Sequence, residues 1–165
     1  MVLLIRRLAA AGPLAWAVLL LGLAAAVVMV MTEFSTIASV RIGETTCGAA
    51  DNDVRGVCST SGGDAHGYAL IGLALLTALL ALGAAVGRSR PAALALVAIG
   101  VVVLGIALLL DRPKLDDTRG LETRYSEVQP ETGGGFKLEL VAAALAAAAG
   151  AAALARERLA PESRT

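Results

Sequence analysis

The sequence predicts an all-α membrane protein, a four-transmembrane-helix bundle with two extracytoplasmic loops. Three observations carry that prediction. Leu8 to Thr32, Gly67 to Gly87, Pro91 to Leu110 and Leu140 to Ala155 contain no charged side chain. Apolar residues make up 57% of the 165 residues, and the mean hydropathy is +0.75, well above the soluble norm. Arginines cluster against the ends of these stretches, as they do beside membrane spans.

The first span is expected over about residues 10–33. Arg6 and Arg7 precede it as the n-region of a signal peptide would, but the apolar run is longer than an h-region, and no small-x-small cleavage site follows. The flanks of a twin-arginine address are missing too, so the segment reads as a retained span. Pro13 suits a helix start. The second and third spans are expected over about 67–87 and 91–110, each long enough to cross a hydrocarbon core of about 30 Å. The fourth, about 136–155, is the odd one. Its 16-residue uncharged run holds eleven Ala, one Gly, three Leu and one Val. Alanine favours helix but gains little in lipid, so this span should be a packing helix at the centre of contacts, with Leu138, Val141 and Leu145 as a short ridge.

Small residues let membrane helices approach closely. Gly83 and Gly87 form a Gly-x-x-x-Gly at the end of the second span, Gly22 and Ala26 share that spacing, and Ala147 and Ala148 lie mid-way along the fourth. These are the expected helix-packing positions, within the bundle rather than on a dedicated dimer face.

Orientation follows from Arg and Lys. The two sides tie at seven basic residues each, but the side holding both termini and the short second connection carries them on short segments against the span ends. Net charge agrees, with two acidic residues there against twelve on the other side. Both termini are therefore expected in the cytoplasm, in a multi-pass protein of the plasma (inner) membrane. Trp16, Phe34, Tyr68 and Phe136 fall at span ends, where aromatic rings favour the interface. Twelve of the 14 basic residues are Arg and alanine is abundant, a usage associated with high-GC bacterial genomes. Net charge is zero, which gives no basic excess for nucleic acid.

The outer loops, about 34–66 and 111–135, are too short for separate domains, so residues 1–165 form a single membrane domain. Cys47 and Cys58 are the only cysteines and fall in the first loop, on the oxidising side, where a structural disulfide is expected. Closing such a loop contributes about 3 kcal/mol in the chain-entropy model. A thiol-exchange pair would favour Cys-x-x-Cys, which is absent. Asp51-Asn52-Asp53 opens like a calcium loop, but Arg55 and Gly62 occupy positions that need oxygen ligands, so it reads as a solvated turn.

His66 is the only histidine. Glu33, Lys137 and Glu139 also fall at outer span ends and could meet it as a proton or ligand site; solvated interfacial charges are the plainer reading. In the second loop, Leu121, Tyr125 and Val128 have the spacing of a short amphipathic helix, and Gly133-Gly134-Gly135 reads as a flexible linker.

The layout of four spans, cytoplasmic termini and a larger first outer loop with a cysteine pair resembles the claudin-type tetraspans. Arg41-Ile42-Gly43-Glu44-Thr45-Thr46 stands where those proteins carry their tryptophan motif, and the resemblance implies no residue role. The functional expectation is a small accessory or scaffolding membrane protein. It would pack with partner membrane proteins or with copies of itself and present a disulfide-braced outer loop. A small channel or transporter subunit is the alternative, and a membrane thiol-redox protein a more remote one. No nucleophile–base pair or metal cluster is legible, so no enzyme, cofactor or metal is expected.

Overall fold

The structure, a computed structural model, describes residues 12–43, 45–46, 58–116 and 127–159. Four of its helices are long and apolar enough to cross a bilayer. Helix α1 (Pro13–Glu33) starts on the proline the sequence marks. A short helix α2 (Gly62–His66), capped by the Ser61 hydroxyl accepting from the Asp64 amide, leads into α3 (Ala69–Gly87). Ser89 accepts from the Ala92 amide and starts α4 (Arg90–Gly105). That helix continues into a π-helical turn (Ile106–Asp111) and a 3-10 turn (Arg112–Asp116). Helix α5 (Gly134–Leu159) completes the bundle.

Neighbours in the bundle are antiparallel. Helix α1 packs between α3 and α5, and α4 closes the ring against α5 and α3. The interior is built from small side chains: Ala15, Ala25, Ala81, Ala85, Ala93, Ala142, Ala146 and Ala149 are fully buried. Val18, Met29, Leu70, Leu96 and Val103 are buried among them, while many other large aliphatics point outward, with Leu20, Val27, Leu75, Leu79, Val101 and Leu109 each more than half exposed. Without water, apolar burial gives helices no reason to hide leucine, and close backbone approach drives association instead.

The closest approaches sit at glycines. A Cβ on Gly100 would meet the Ala143 carbonyl at 2.8 Å and the Ala147 Cβ at 2.9 Å, and one on Gly150 the Ala93 carbonyl at 2.6 Å. Gly22 packs as tightly on Ala81. The close contact expected at Gly83 and Gly87 lies elsewhere: a Cβ on Gly83 would reach Ala92 only at 3.8 Å, and Gly87 faces open space. Helix α5 does contact two neighbours, and of the expected ridge Leu145 packs against the core while Leu138 is only partly buried. Val141 is 47% exposed, and the buried stripe runs Ala142, Ala146, Ala149, Ala153. Ala147 is partly buried at Gly100 while Ala148 is exposed.

One end of the bundle carries a small antiparallel sheet, which the loop reading missed. Strand β1 (Thr36–Ile42) pairs with β2 (Thr45–Thr46), β3 (Ser59–Ser61) and β4 (Val128–Thr132). β4 overlaps both others along β1, so it occupies one edge while β3 and β2 share the opposite one. Val40 stands opposite Pro130, on an edge strand where proline's missing N–H costs little. Val128 is therefore strand and not part of an amphipathic helix; Leu121 and Tyr125 lie outside the described residues.

The glycine triplet is not a free linker. Gly133 donates its N–H to the Ile37 carbonyl at 2.8 Å, and side chains at Gly133 or Gly135 would collide with Thr36. Ile37 is fully buried, so β1 is seated directly on the start of α5. Cys58 is buried beside Val40; Cys47 and the Asp51–Asp53 turn lie outside the described residues.

Candidate functional site

Under this sheet, ionisable side chains from α1, from α2, from the turns after α4 and from α5 turn inward. The first is Glu33, the last residue of α1, which is 1% exposed. Its Oε1 accepts from the Leu70 amide at 2.7 Å, so a carboxylate caps the amino end of α3 across 37 residues of sequence. Gly67 and Tyr68, both at positive φ, make the sharp turn that brings α3 under Glu33. The same turn ends α2 on His66.

Asp111 arrives by a different device. The wider π-helical turn at the end of α4 leaves Leu108, Leu109 and Leu110 exposed and rotates Asp111 fully inward. His66 Nε2 lies 2.8 Å from Asp111 Oδ2, and Lys114 Nζ donates to Asp111 Oδ1 at 2.8 Å. Glu139, in the first turns of α5, places Oε1 3.6 Å from His66 Nε2. The His66, Asp111 and Glu139 side chains are 5%, 0% and 0% exposed.

The cluster is under-satisfied. Both Glu139 carboxylate oxygens, Glu33 Oε2 and His66 Nδ1 are buried without a hydrogen-bond partner among the described residues. Three carboxylates face one lysine and one imidazole. Buried polar groups are nearly always paired, so this concentration of unpaired atoms marks the junction as a place for a further ligand or for protons.

Of the residues the sequence points to, Glu33, His66 and Glu139 are brought to this end of the bundle and buried. Lys137 is not; it lies on the exposed side of α5. Asp111 and Lys114 were missed because an aspartate after an apolar run reads as the first loop residue, and only the π-helical turn reverses it. The expectation of no metal cluster meets a contrary geometry: one donor atom each from His66, Asp111 and Glu139 lies within 4.8 Å of the others.

At the opposite end Arg156, 7% exposed in the last turn of α5, donates to the Ala85 carbonyl at 2.8 Å. A cation thereby meets the carboxyl-terminal end of α3. Thr77, the hydroxyl in the middle of a span, donates to the Leu73 carbonyl of its own helix at 2.7 Å.

The model of a family described as tryptophan-associated transmembrane protein matches residues 18–165. The chain belongs to that family. Its four apolar helices are thus membrane spans, and this member of the tryptophan-associated transmembrane family is a small multi-pass integral membrane protein. No curated protein and no solved structure shows significant similarity to the chain. The claudin-like layout is a likeness of topology, and the family match lies elsewhere.

Proposed function

We propose that this chain is an accessory or scaffolding protein of the plasma membrane. It packs with partner membrane proteins, keeps both termini in the cytoplasm, and presents the sheet end, braced by a Cys47–Cys58 disulfide, on the outer side. The observation that carries the reading is the closed interior. Alanines fill the bundle from Ala15 to Ala146, and the mid-span hydroxyl of Thr77 is spent on its own helix. A transport path would want polar groups or broken helices at the midplane. A groove between α1 and α3, lined by Leu23, Val27, Met31, Ile71 and Leu75, offers an apolar face to a partner's span.

The test is purification of the full-length protein in mild detergent, with mass spectrometry of what accompanies it. The family's description as tryptophan-associated gives that experiment a condition to vary, the supply of tryptophan. A membrane protein recovered in fixed ratio, and lost when Leu75 and Val27 are changed to Ala, supports the reading. A monodisperse chain that never carries a partner overturns it.

A channel or transporter subunit is the second reading, and one observation favours it. Glu33, His66, Asp111 and Glu139 form a buried ionisable cluster where the ends of α1, α2 and α4 meet the start of α5. Ion or solute flux in proteoliposomes holding the chain alone, lost in Glu139→Gln, would move the assignment to that class.

A further inference from the structure

We propose that His66, Asp111 and Glu139 form a site for one divalent transition-metal cation of the zinc class. The donor atoms are already gathered. His66 Nε2 is 2.8 Å from Asp111 Oδ2 and 3.6 Å from Glu139 Oε1, and all three lie within 4.8 Å of one another. In a tetrahedral zinc site, with metal–ligand bonds of about 2.0–2.2 Å, neighbouring donors sit roughly 3.4 Å apart. A cation between them needs the His66–Asp111 pair to open by about half an ångström and the widest-spaced donors to close by up to about 1.4 Å, within the reach of side-chain rotation.

The second observation is the state of Glu139. Its side chain is wholly buried, and both oxygens lack a hydrogen-bond partner among the described residues. An ionised carboxylate in that position is costly unless a cation meets it, and Lys114 is engaged on Asp111 instead. A divalent ion at His66 Nε2 answers this deficit. It binds Glu139 directly, replaces the imidazole proton as the partner of Asp111, and fixes the remaining imidazole proton on Nδ1.

Donor chemistry selects the metal. One imidazole nitrogen with two carboxylates suits zinc, and then manganese or iron, rather than calcium or magnesium, which take oxygen shells of six or more. Three protein ligands leave a fourth position to water. Lys114 is the exposed member, with a side chain 36% accessible, and marks the side from which an ion would enter. The ion would tie α2, the end of α4 and the start of α5 into one unit beneath the sheet. This inference does not depend on the accessory role.

The experiment uses full-length protein in detergent, treated with chelator and kept non-reducing, then titrated with zinc. Equilibrium dialysis with elemental analysis should give about one zinc per chain. Glu139→Gln and His66→Asn should each weaken binding by more than about 10-fold, while Lys137→Gln binds as the parent. Thermal melting controls for folding, because Glu139→Gln replaces a buried, unpartnered carboxyl by an amide of the same shape and should melt no lower than the metal-free parent. Cobalt supplies a readout on the unaltered chain: visible d–d absorption without a thiolate charge-transfer band places the ion on nitrogen and oxygen and not on the cysteines. No zinc uptake by the parent, equal uptake by Glu139→Gln, or a thiolate band would each overturn the proposal.

Discussion

Nε2 of His66 and Oδ2 of Asp111 lie 2.8 Å apart across 45 residues of sequence, both buried beneath the sheet. That bond joins the entry to α3 with the end of α4, and Lys114 doubles it from the other carboxylate oxygen. Asp111 is therefore the hub of the sheet end. Asp111→Ala strands the buried imidazole of His66 and frees the partly exposed Lys114, and should destabilise the protein by about 1–3 kcal/mol, read as a lower melting temperature in detergent. Lys137→Gln, on the exposed side of α5, should stay within about 0.5 kcal/mol of the parent. Equal effects of the two would remove Asp111 from that role.

Glu33 gives a separable prediction, since its bond is to backbone. Glu33→Gln keeps an acceptor for the Leu70 amide and should melt near the parent. Glu33→Ala leaves the amino end of α3 uncapped and should cost about 1–2 kcal/mol. Amide hydrogen exchange supplies the local measurement, with faster exchange at Leu70 in the alanine variant alone. Unchanged exchange there would mean the cap contributes nothing.

The bundle was legible in the sequence because a span is a composition: four uncharged runs cannot be hidden in so short a chain. The sheet was less so. Thr36-Ile37-Ala38-Ser39-Val40-Arg41-Ile42 carries β-branched residues in rough alternation, a strand signal in itself. Its partners are two- to five-residue strands, one containing Pro130, which have almost no signal of their own. They are strands because β1 offers two edges. Glu33, His66 and Glu139 could be grouped from sequence since each ends or begins a span. Lys137 shared that position and failed, because helical periodicity places it on the opposite face from Glu139, two residues away. Asp111 needed a π-helical turn, for which the apolar run Ile106 to Leu110 gives no warning.

Arg156 tests the other end. Its guanidinium meets the Ala85 carbonyl, one of the last-turn acceptors of α3 that lacks a helical partner. Arg156→Met retains the apolar stem and removes the donors, and should cost about 1–2 kcal/mol. Arg158→Met, near the same end but outside that contact, should cost less than about 0.5 kcal/mol. If Arg158→Met lowers the melting temperature as much, the effect is one of general charge at the membrane surface and not of the cap.

The alanine helix gives the sharpest discrimination. Ala147 rests against Gly100, where an added Cβ would already press on the Ala143 carbonyl and on Ala147 itself, while Ala148 one position along is exposed. Both Ala147→Leu and Ala148→Leu make α5 more hydrophobic by the same amount, so insertion into lipid cannot distinguish them. Packing can. Ala147→Leu should separate α4 from α5 and cost about 1–3 kcal/mol by overpacking. Ala148→Leu should be tolerated or slightly stabilising, since its side chain meets lipid. Melting temperatures of the two variants in the same detergent decide this, with Gly100→Leu as a third variant expected to resemble Ala147→Leu. Should Ala148→Leu melt normally yet lose a co-purifying partner, the exposed face of α5 is an intermolecular surface, and the accessory reading gains its most direct support. If all three melt like the parent, the α4–α5 seam is looser than its glycines imply, and small-residue packing does not hold this bundle together.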